Sequence, residues 1–374
     1  MKHLTIDLRW IDASGVGTYI TGILPGIVEQ LADVAITGLG DRTRLEQFPW
    51  ASASNVRMVH CNPARYSLGE QWQLPRAIPA DTDLFFSPYY TIPFFYRGPL
   101  AATVHDLSHL VVAEIVGNPK KRIYAQIMFR ALRKRALIIF TVSAFSKAEL
   151  LRLTRGPRED NILSTHLGLA REWYSASSVA RIRAGPYFVH VGNIKPYKNL
   201  GRLVEAFLQI RDRIPHDLVI VGQSEGLITG ESPDFFERVR KAGDRIHMTG
   251  FVSHQELLSH VSHAEALLMP SLYEGFGLPP LEAMAAGVPA VVARAASLPE
   301  VCADAALYFD PLQVEDIADK LLTIATDSRL RAHLIKKGLE RSMLFTWELC
   351  STQTSQALRE TLYGPRVSRA LTVC

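Results

Sequence analysis

The sequence predicts an α/β chain of two doubly wound parallel-sheet domains in series, with a cleft between them. Three observations predict it. The chain has 374 residues, more than one hydrophobic core usually serves. Short apolar runs alternate with helix-length amphipathic stretches, the pattern of parallel strands joined by crossover helices. The pattern then restarts near Tyr187, after the polar, Ala/Ser-containing segment LAREWYSASSVARIRAGP.

Taken in order, the strands of the first half read as HLTIDL, VAITGLG, VRMVH, DLFFSP, LAATVHD and ALIIFTVS. Those of the second half read as PYFVHVGN, DLVIVGQ, RIHMTGF, EALLMPS, PAVVAR and ALYFD, with helices such as NLGRLVEAFLQIRDRI between them. The linker is expected at about 168–185, which gives domains at 1–170 and 171–344 and a terminal segment at 345–374.

Composition narrows the class. Hydrophobic residues make up 48% and charged residues 21%, as in ordinary globular proteins. No apolar run reaches the roughly 18 residues of a membrane span. The start, MKHLTIDLRW, enters a strand and lacks the pattern of a secretory signal. Cys61, Cys302, Cys350 and Cys374 are scattered without metal-ligand spacing and read as free thiols in a reducing, cytoplasmic compartment. A net charge of +4 gives no reason to expect a nucleic-acid partner.

The positive excess lies in residues 1–170, which carry 19 Lys and Arg against 14 Asp and Glu. It concentrates in KKRIYAQIMFRALRKR, residues 120–135. A helical wheel gathers Arg122, Gln126, Arg130 and Arg133 on one polar face, with Ile123, Ile127, Met128, Ala131 and Leu132 elsewhere. Such a helix either packs on its own sheet or meets an anionic membrane surface or lipid diphosphate.

Ligands of open α/β sheets bind beyond the carboxyl ends of the strands, which sorts the motifs. Beyond the first strand lies DASGVGTYI, where Gly15 and Gly17 let amides approach a phosphate or simply make a tight turn. A dinucleotide fingerprint needs a third glycine where Ile20 stands, which argues against a nicotinamide cofactor. TVHDLSHL puts His105 beyond another strand, able to bond a sugar hydroxyl or to serve as an ordinary loop histidine. His109 follows four residues on, but no third ligand accompanies the two, so no metal site is read there. The D-x-D pair Asp81 and Asp83 precedes its strand and faces away from the cleft, so no metal is assigned to it either.

VGNIKPYKN places Lys195 and Lys198 in a Gly/Pro turn before a helix. A lysine there opposes the helix dipole, and a bound diphosphate would remove the conflict. In EGFGLPPLE, Pro279 and Pro280 suit a first helical turn, so the amides of Phe276, Gly277 and Leu278 point out of the helix start as an anion cradle. Glu282 falls in that first turn, where dipole compensation alone is worth about 0.3–1 kcal/mol. Its other use is to accept hydrogen bonds from a ribose diol. Glu274, beside an anion cradle, is explained by sugar hydroxyls or a developing positive charge.

These motifs together resemble the retaining glycosyltransferases of family 4. EGFGLPPLE resembles their E-x7-E signature, and the likeness continues through SGVGTYI, TVHDLSHL, TVSAFSKAEL, VGNIKPYKNL, LVIVG, MTGFVS and EAMAAGVPAVVARAASLPEV. The resemblance implies the GT-B fold, two Rossmann-like domains across a cleft, with FTWELCSTQTSQALRETLYG (345–364) crossing back onto the first. It implies that Glu282 holds the donor ribose and Glu274 the sugar hydroxyls. Phe276, Gly277 and Leu278 would donate backbone bonds to sugar and diphosphate, and Lys198 would bind the diphosphate. His105 would approach the sugar from the other domain, Gly15 and Gly17 would let the first loop close, and the base would stack near Gly250 and Phe251. Many members carry an arginine after the glycine that is Gly192 here; this chain has Asn193, so Asn193 or Lys195 stands in.

The implied chemistry is retention by front-face displacement, the departing phosphate taking the acceptor proton, with no metal and no cofactor beyond the nucleotide-sugar donor. The wording resembles bacterial mannosyltransferases of surface polysaccharides such as lipopolysaccharide. They use GDP-mannose and a glycan or lipid-diphosphate-linked oligosaccharide acceptor at the inner membrane face. UDP-glucose, UDP-galactose and dTDP-rhamnose remain alternative donors, and a non-catalytic sugar-nucleotide-binding subunit is an alternative role. An inverting enzyme would want a base such as Asp12, and the carboxylate set of a nucleotide-sugar epimerase has no counterpart here.

Overall fold

The computed structural model describes residues 1–112, 119–156, 159–222 and 233–364. Cys374, the tail from 365 and the side chains of Lys120 and Lys121 lie outside the described residues. The strands form two parallel sheets. The first holds β1 (His3–Asp7), β2 (Ala35–Gly40), β3 (Val56–His60), β4 (Leu84–Ser87), β5 (Leu100–Val104), β6 (Ile138–Thr141) and β7 (Ile162–Ser164). The second holds β8 (Tyr187–Val191), β9 (Asp217–Val221), β10 (Ile246–Gly250), β11 (Ala266–Met269), β12 (Ala290–Ala293) and β13 (Ala306–Phe309). Their spatial orders are β3-β2-β1-β4-β5-β6-β7 and β10-β9-β8-β11-β12-β13.

β1, β4 and β5 are buried at every position, as expected of strands covered on both faces. The register is unbroken where it matters: Ile6 pairs with Gly38 on β2 and Phe86 on β4, and Phe188 pairs with Leu218 on β9 and Ala266 on β11. β7 was not anticipated, because three residues with an exposed centre carry no periodic signal.

Strand order reverses between β1 and β4 in one sheet and between β8 and β11 in the other. Such reversals open a crevice beyond the carboxyl ends of the strands. The loop with Lys198 follows β8, and the loop with Glu274 follows β11, so both leave one switch point.

The chain returns to the first sheet at its end. Leu169 N donates to Phe345 O at 3.0 Å, and helix Trp347–Tyr363 lies along helix Ser14–Gln30. Gly22 faces the Trp347 ring and Gly26 faces Ser351, so closely that a Cβ at either would overlap them. Arg359 then pairs with Asp33 at 2.6 Å. One apolar core consequently runs from Ile20 and Ile23 through Leu169, Phe345 and Leu358 to the second sheet.

Helix Pro119–Arg135 corrects the wheel. Its inward face is Ala125, Met128, Phe129 and Leu132, and Arg133 follows Phe129 by one turn and is buried with it. Ile123 and Ile127 are instead exposed, on the side that carries Arg130 and Lys134. Polarity misplaced these residues. The spacing of the bulky apolar positions decides which side faces the sheet.

Candidate active site in the cleft between the sheets

Helix Leu278–Ala285 starts after Gly277, which sits at φ 105° and is capped by no side chain. A left-handed residue of that kind favours glycine, and it leaves the first amides of the helix without a side-chain acceptor. Pro279 and Pro280 occupy the first turn, where their missing N–H groups cost nothing. Glu282 lies in the second turn and not the first, so it does little for the helix dipole. Its carboxylate makes no hydrogen bond or ion pair among the described residues. Burial, followed by the nearby Glu172 carboxylate, pushes its carboxyl up to about 7.

Lys198 ends a short 3-10 turn, Pro196–Lys198, ahead of helix Leu200–Ile210. Asn199 between them is left-handed (φ 60°), and its amide donates to the carbonyls of Pro270 and Pro311 at 3.1 and 2.7 Å. That buried clamp fixes the lysine loop against the segments that follow β11 and β13. Lys198 Nζ donates to Glu274 Oε1 at 2.6 Å, with both side chains mostly buried. The expected free cation at a helix start is therefore paired with the other leading candidate. The Lys195 and Lys198 ammonium groups lie 5.9 and 5.4 Å from the Tyr197 ring, so both charges adjoin one aromatic side chain.

Gly275 is where the two halves meet. A Cβ there would overlap the His105 carbonyl, so only glycine permits the approach. Ser143 and Ser146, at the start of helix Ala144–Leu153, donate to Gly275 O at 2.6 and 3.1 Å. Ser297 reaches the carbonyls on either side, Glu274 O at 3.0 Å and Phe276 O at 2.7 Å. Glu300, from the second half, accepts from the amides of Ala144 and Phe145 at 2.8 and 2.9 Å and from His166 at 2.8 Å. Burial works against its charge, but those bonds win and hold its carboxyl below the ordinary value. These serines and Glu300 were missed at the sequence level. Only the S-x-x-S spacing of Ser143 and Ser146 hinted at a helix cap, and nothing local hinted at a partner 132 residues away.

His105 Nε2 donates to Pro88 O at 2.9 Å, and its ring meets Tyr19 edge-on at 4.9 Å. Burial lowers its pKa against the opposing effects of that bond and Asp106. The neutral tautomer with a free Nδ1 is thus favoured. His105 precedes helix Ser108–Val111, so it does not share a helix with His109. Gly15 and Gly17 fall inside the first turn of helix Ser14–Gln30, not in a loop. A side chain at Gly17 would strike the Ile11 carbonyl, whereas Gly15 is open. That helix also starts without a side-chain cap. Phe251 is 86% exposed, just past Gly250 at the end of β10, with its ring available for stacking. Asn193 is half-buried.

Asp81 and Asp83 sit at the opposite end of the first sheet, bonded to His3 and to Lys2. Asp12 is on the surface, paired with Arg44 at 2.8 Å. No group of His, Cys, Asp or Glu suited to a metal exists among the described residues, and no described helix is long and apolar enough to cross a membrane.

Comparison with known proteins agrees with this fold. Residues 178–341 match the glycosyl transferases group 1 family. The chain is 31% identical over 290 residues to the O-antigen chain mannosyltransferase B of Escherichia coli, covering 71% of this chain and 74% of that protein. Among solved structures, sucrose-phosphate synthase from Thermosynechococcus elongatus matches with a TM-score of 0.74 at 21% identity, over 96% of this chain and 99% of that one. Anabaena HepE, solved with UDP and glucose, matches with a TM-score of 0.72 at 18% identity, over 96% and 99%. The chain has the GT-B fold, belongs to the group 1 glycosyl transferases of family 4, and is a retaining glycosyltransferase.

Proposed function

We propose that the protein transfers mannose from GDP-mannose, without a metal, to a glycan or lipid-diphosphate-linked oligosaccharide in surface polysaccharide synthesis. The observation that carries the reading is the Lys198–Glu274 pair beside the uncapped start of helix Leu278–Ala285, at one switch point. The mannosyl choice is supported by the named activity of the E. coli relative.

In this reading the donor diphosphate takes Lys198 away from Glu274 and lies against the amides of Phe276, Gly277 and Leu278. Charge growing on the leaving diphosphate meets donors already in place, which is the role a metal plays elsewhere. Lys195, beside Lys198, supplies the second cation that many relatives draw from an arginine, and Asn193 supplies a hydrogen bond. Glu274, freed, accepts from sugar hydroxyls and favours positive charge at the reacting carbon. Glu282 accepts from the ribose, and Phe251 beside Gly250 stacks on the base. His105 approaches the sugar through Nδ1, and the helix start holding Gly15 and Gly17 closes on the phosphates. The acceptor attacks on the leaving-group face, and the departing phosphate oxygen takes its proton. Residues 1–170 carry the acceptor side and 171–344 the donor side.

A lipid-linked acceptor puts the enzyme at the inner membrane face. We assign that contact to the exposed side of helix Pro119–Arg135, where Ile123, Ile127, Arg130 and Lys134 combine apolar and cationic groups. Trp72, on helix Leu68–Ala77, and the loop residue Phe95 are exposed and stacked at 4.4 Å, and Leu74 of that helix shares a core with Met128 and Leu132.

The test is a panel of GDP-, UDP- and dTDP-sugars scored by nucleoside diphosphate release, with magnesium and with chelator. GDP-mannose is expected to be turned over equally in both. Preference for a UDP or dTDP sugar overturns the donor, metal dependence overturns the charge argument, and silence with every donor overturns the catalytic role.

A further inference from the structure

The first sheet has a feature that the donor chemistry does not use. Beyond the carboxyl ends of β1, β3 and β4, Trp10, Arg65, Tyr66 and Tyr89 form one cluster, with Tyr124 from helix Pro119–Arg135 behind it. The Trp10 ring lies 5.4 Å from Tyr66 and 4.3 Å from Tyr89, and the Arg65 guanidinium sits over it at 4.6 Å. The Tyr66 and Tyr89 hydroxyls are 3.0 Å apart. The Tyr89 ring is 6.2 Å from His105, so the cluster adjoins the seam at Gly275 and Glu274.

Tyr66 is held in an expensive way. Its φ is 61°, a conformation that a bulky side chain rarely adopts. The backbone is fixed by Glu70, whose Oε2 accepts Tyr66 N at 2.8 Å while Oε1 accepts from Arg9 at 2.8 Å. Arg9 is locked in turn by both oxygens of Asp7, at 2.8 and 2.6 Å, and these three charged side chains are buried. Burial of the ring does not offset the strain, because Tyr66 is 46% exposed. Beneath it Trp10 Nε1 and Tyr124 OH are buried without a hydrogen-bond partner among the described residues. A strained residue, over-determined by a buried ion cluster and presenting its ring to solvent at a switch point, marks a binding position.

We propose that Tyr66, with Arg65 and Tyr89 at its rim, is the acceptor subsite, and that it stacks a neutral hexopyranose. The ligand class follows from the chemistry. A pyranose offers a face of C–H groups to the negative face of an aromatic ring and hydroxyls around its edge. The tyrosine hydroxyls and the guanidinium supply donors and acceptors for that edge. The proposal rests on the transferase reading for its meaning, but its binding test does not need turnover.

The probe is octyl α-D-mannopyranoside, followed by saturation-transfer NMR without any donor. The wild-type protein and Tyr66→Phe are expected to show transfer to the sugar protons, and Tyr66→Gly to lose it. Glycine suits the left-handed backbone, so Tyr66→Gly should also melt at the wild-type temperature or higher, which a merely structural tyrosine would not allow. In kinetics with GDP-mannose, Tyr66→Gly should raise the acceptor KM at least about tenfold and the donor KM by much less. Equal saturation transfer in wild type and Tyr66→Gly, including none in either, overturns the subsite. Silence of the donor panel with Tyr66-dependent saturation transfer intact overturns the catalytic reading and leaves the sugar subsite supported.

Discussion

Lys198 Nζ and Glu274 Oε1 are 2.6 Å apart, an ion pair made between the two charged groups that the sequence assigns to opposite partners, a diphosphate and a sugar. Each neutralises the other in this structure. In the proposed reading, donor binding exchanges this one charge-assisted bond for several, and the empty site never carries two unpaired charges.

The exchange has a measurable signature. Glu274→Gln frees Lys198, so GDP, which lacks the sugar, should bind a few-fold tighter by calorimetry, because the desolvation cost of a mostly buried pair offsets much of its attraction. Glu274→Ala and Lys198→Ala should each lower turnover at least about 100-fold with the fold retained, because both remove preorganised charge. Near-normal rates in both variants, on the best donor of the panel, would remove these residues from the chemistry.

Glu282 predicts a pH effect of definite sign. Its folded carboxyl titrates at about 7 against an ordinary 4.5. Between those values the native state holds a proton that the unfolded chain has lost, so stability falls as pH rises through this window. Glu282→Gln should leave stability at pH 4 unchanged and raise it at pH 8 by about 1–3 kcal/mol in urea unfolding. Ribose hydroxyls donate best to the ionised group, so the wild-type donor KM should drop from pH 6 to pH 8. A Gln variant with the same pH profile as wild type would contradict this role.

The Gly275 seam predicts that Gly275→Ala disturbs both halves at once. The added methyl meets the His105 carbonyl, and the Ser143 and Ser146 bonds to Gly275 must lengthen. Small-angle scattering should report a larger radius of gyration and kinetics a kcat loss of roughly 100-fold, as for misplacement by about 1 Å. Ser143→Ala should cost less, about 1 kcal/mol in stability, with Ser143→Thr restoring it. An unchanged radius and rate in Gly275→Ala would show that the seam can yield.

For the membrane contact, the combined changes Ile123→Ser, Ile127→Ser, Arg130→Gln and Lys134→Gln should cut sedimentation with phosphatidylglycerol vesicles at least about tenfold, since each cation near such a surface is worth about 1 kcal/mol. Secondary structure and activity on a water-soluble acceptor should be kept. Undiminished sedimentation would place the contact elsewhere.

Much of this protein is decided by local pattern. Strands buried on both faces are near-continuous apolar runs, so β4, β5, β8 and β11 are legible from residues alone. The loops beyond them follow from the same reading, because glycines, prolines and acids at a helix start need a physical reason wherever they occur. EGFGLPPLE and VGNIKPYKN therefore carry their candidate residues in plain view. What the sequence could not decide is which groups from distant loops come together. No spacing rule pairs Lys198 with Glu274, caps helix Ala144–Leu153 with Glu300, or sets Ser143 on the carbonyl of Gly275. The rotation of helix Pro119–Arg135 was likewise misread from polarity, since burial of Arg133 depends on what packs behind it. Local interactions act over three or four residues and are written in the chain order. Contacts between loops at a switch point are chosen by sheet topology, and only the assembled sheets bring them within reach.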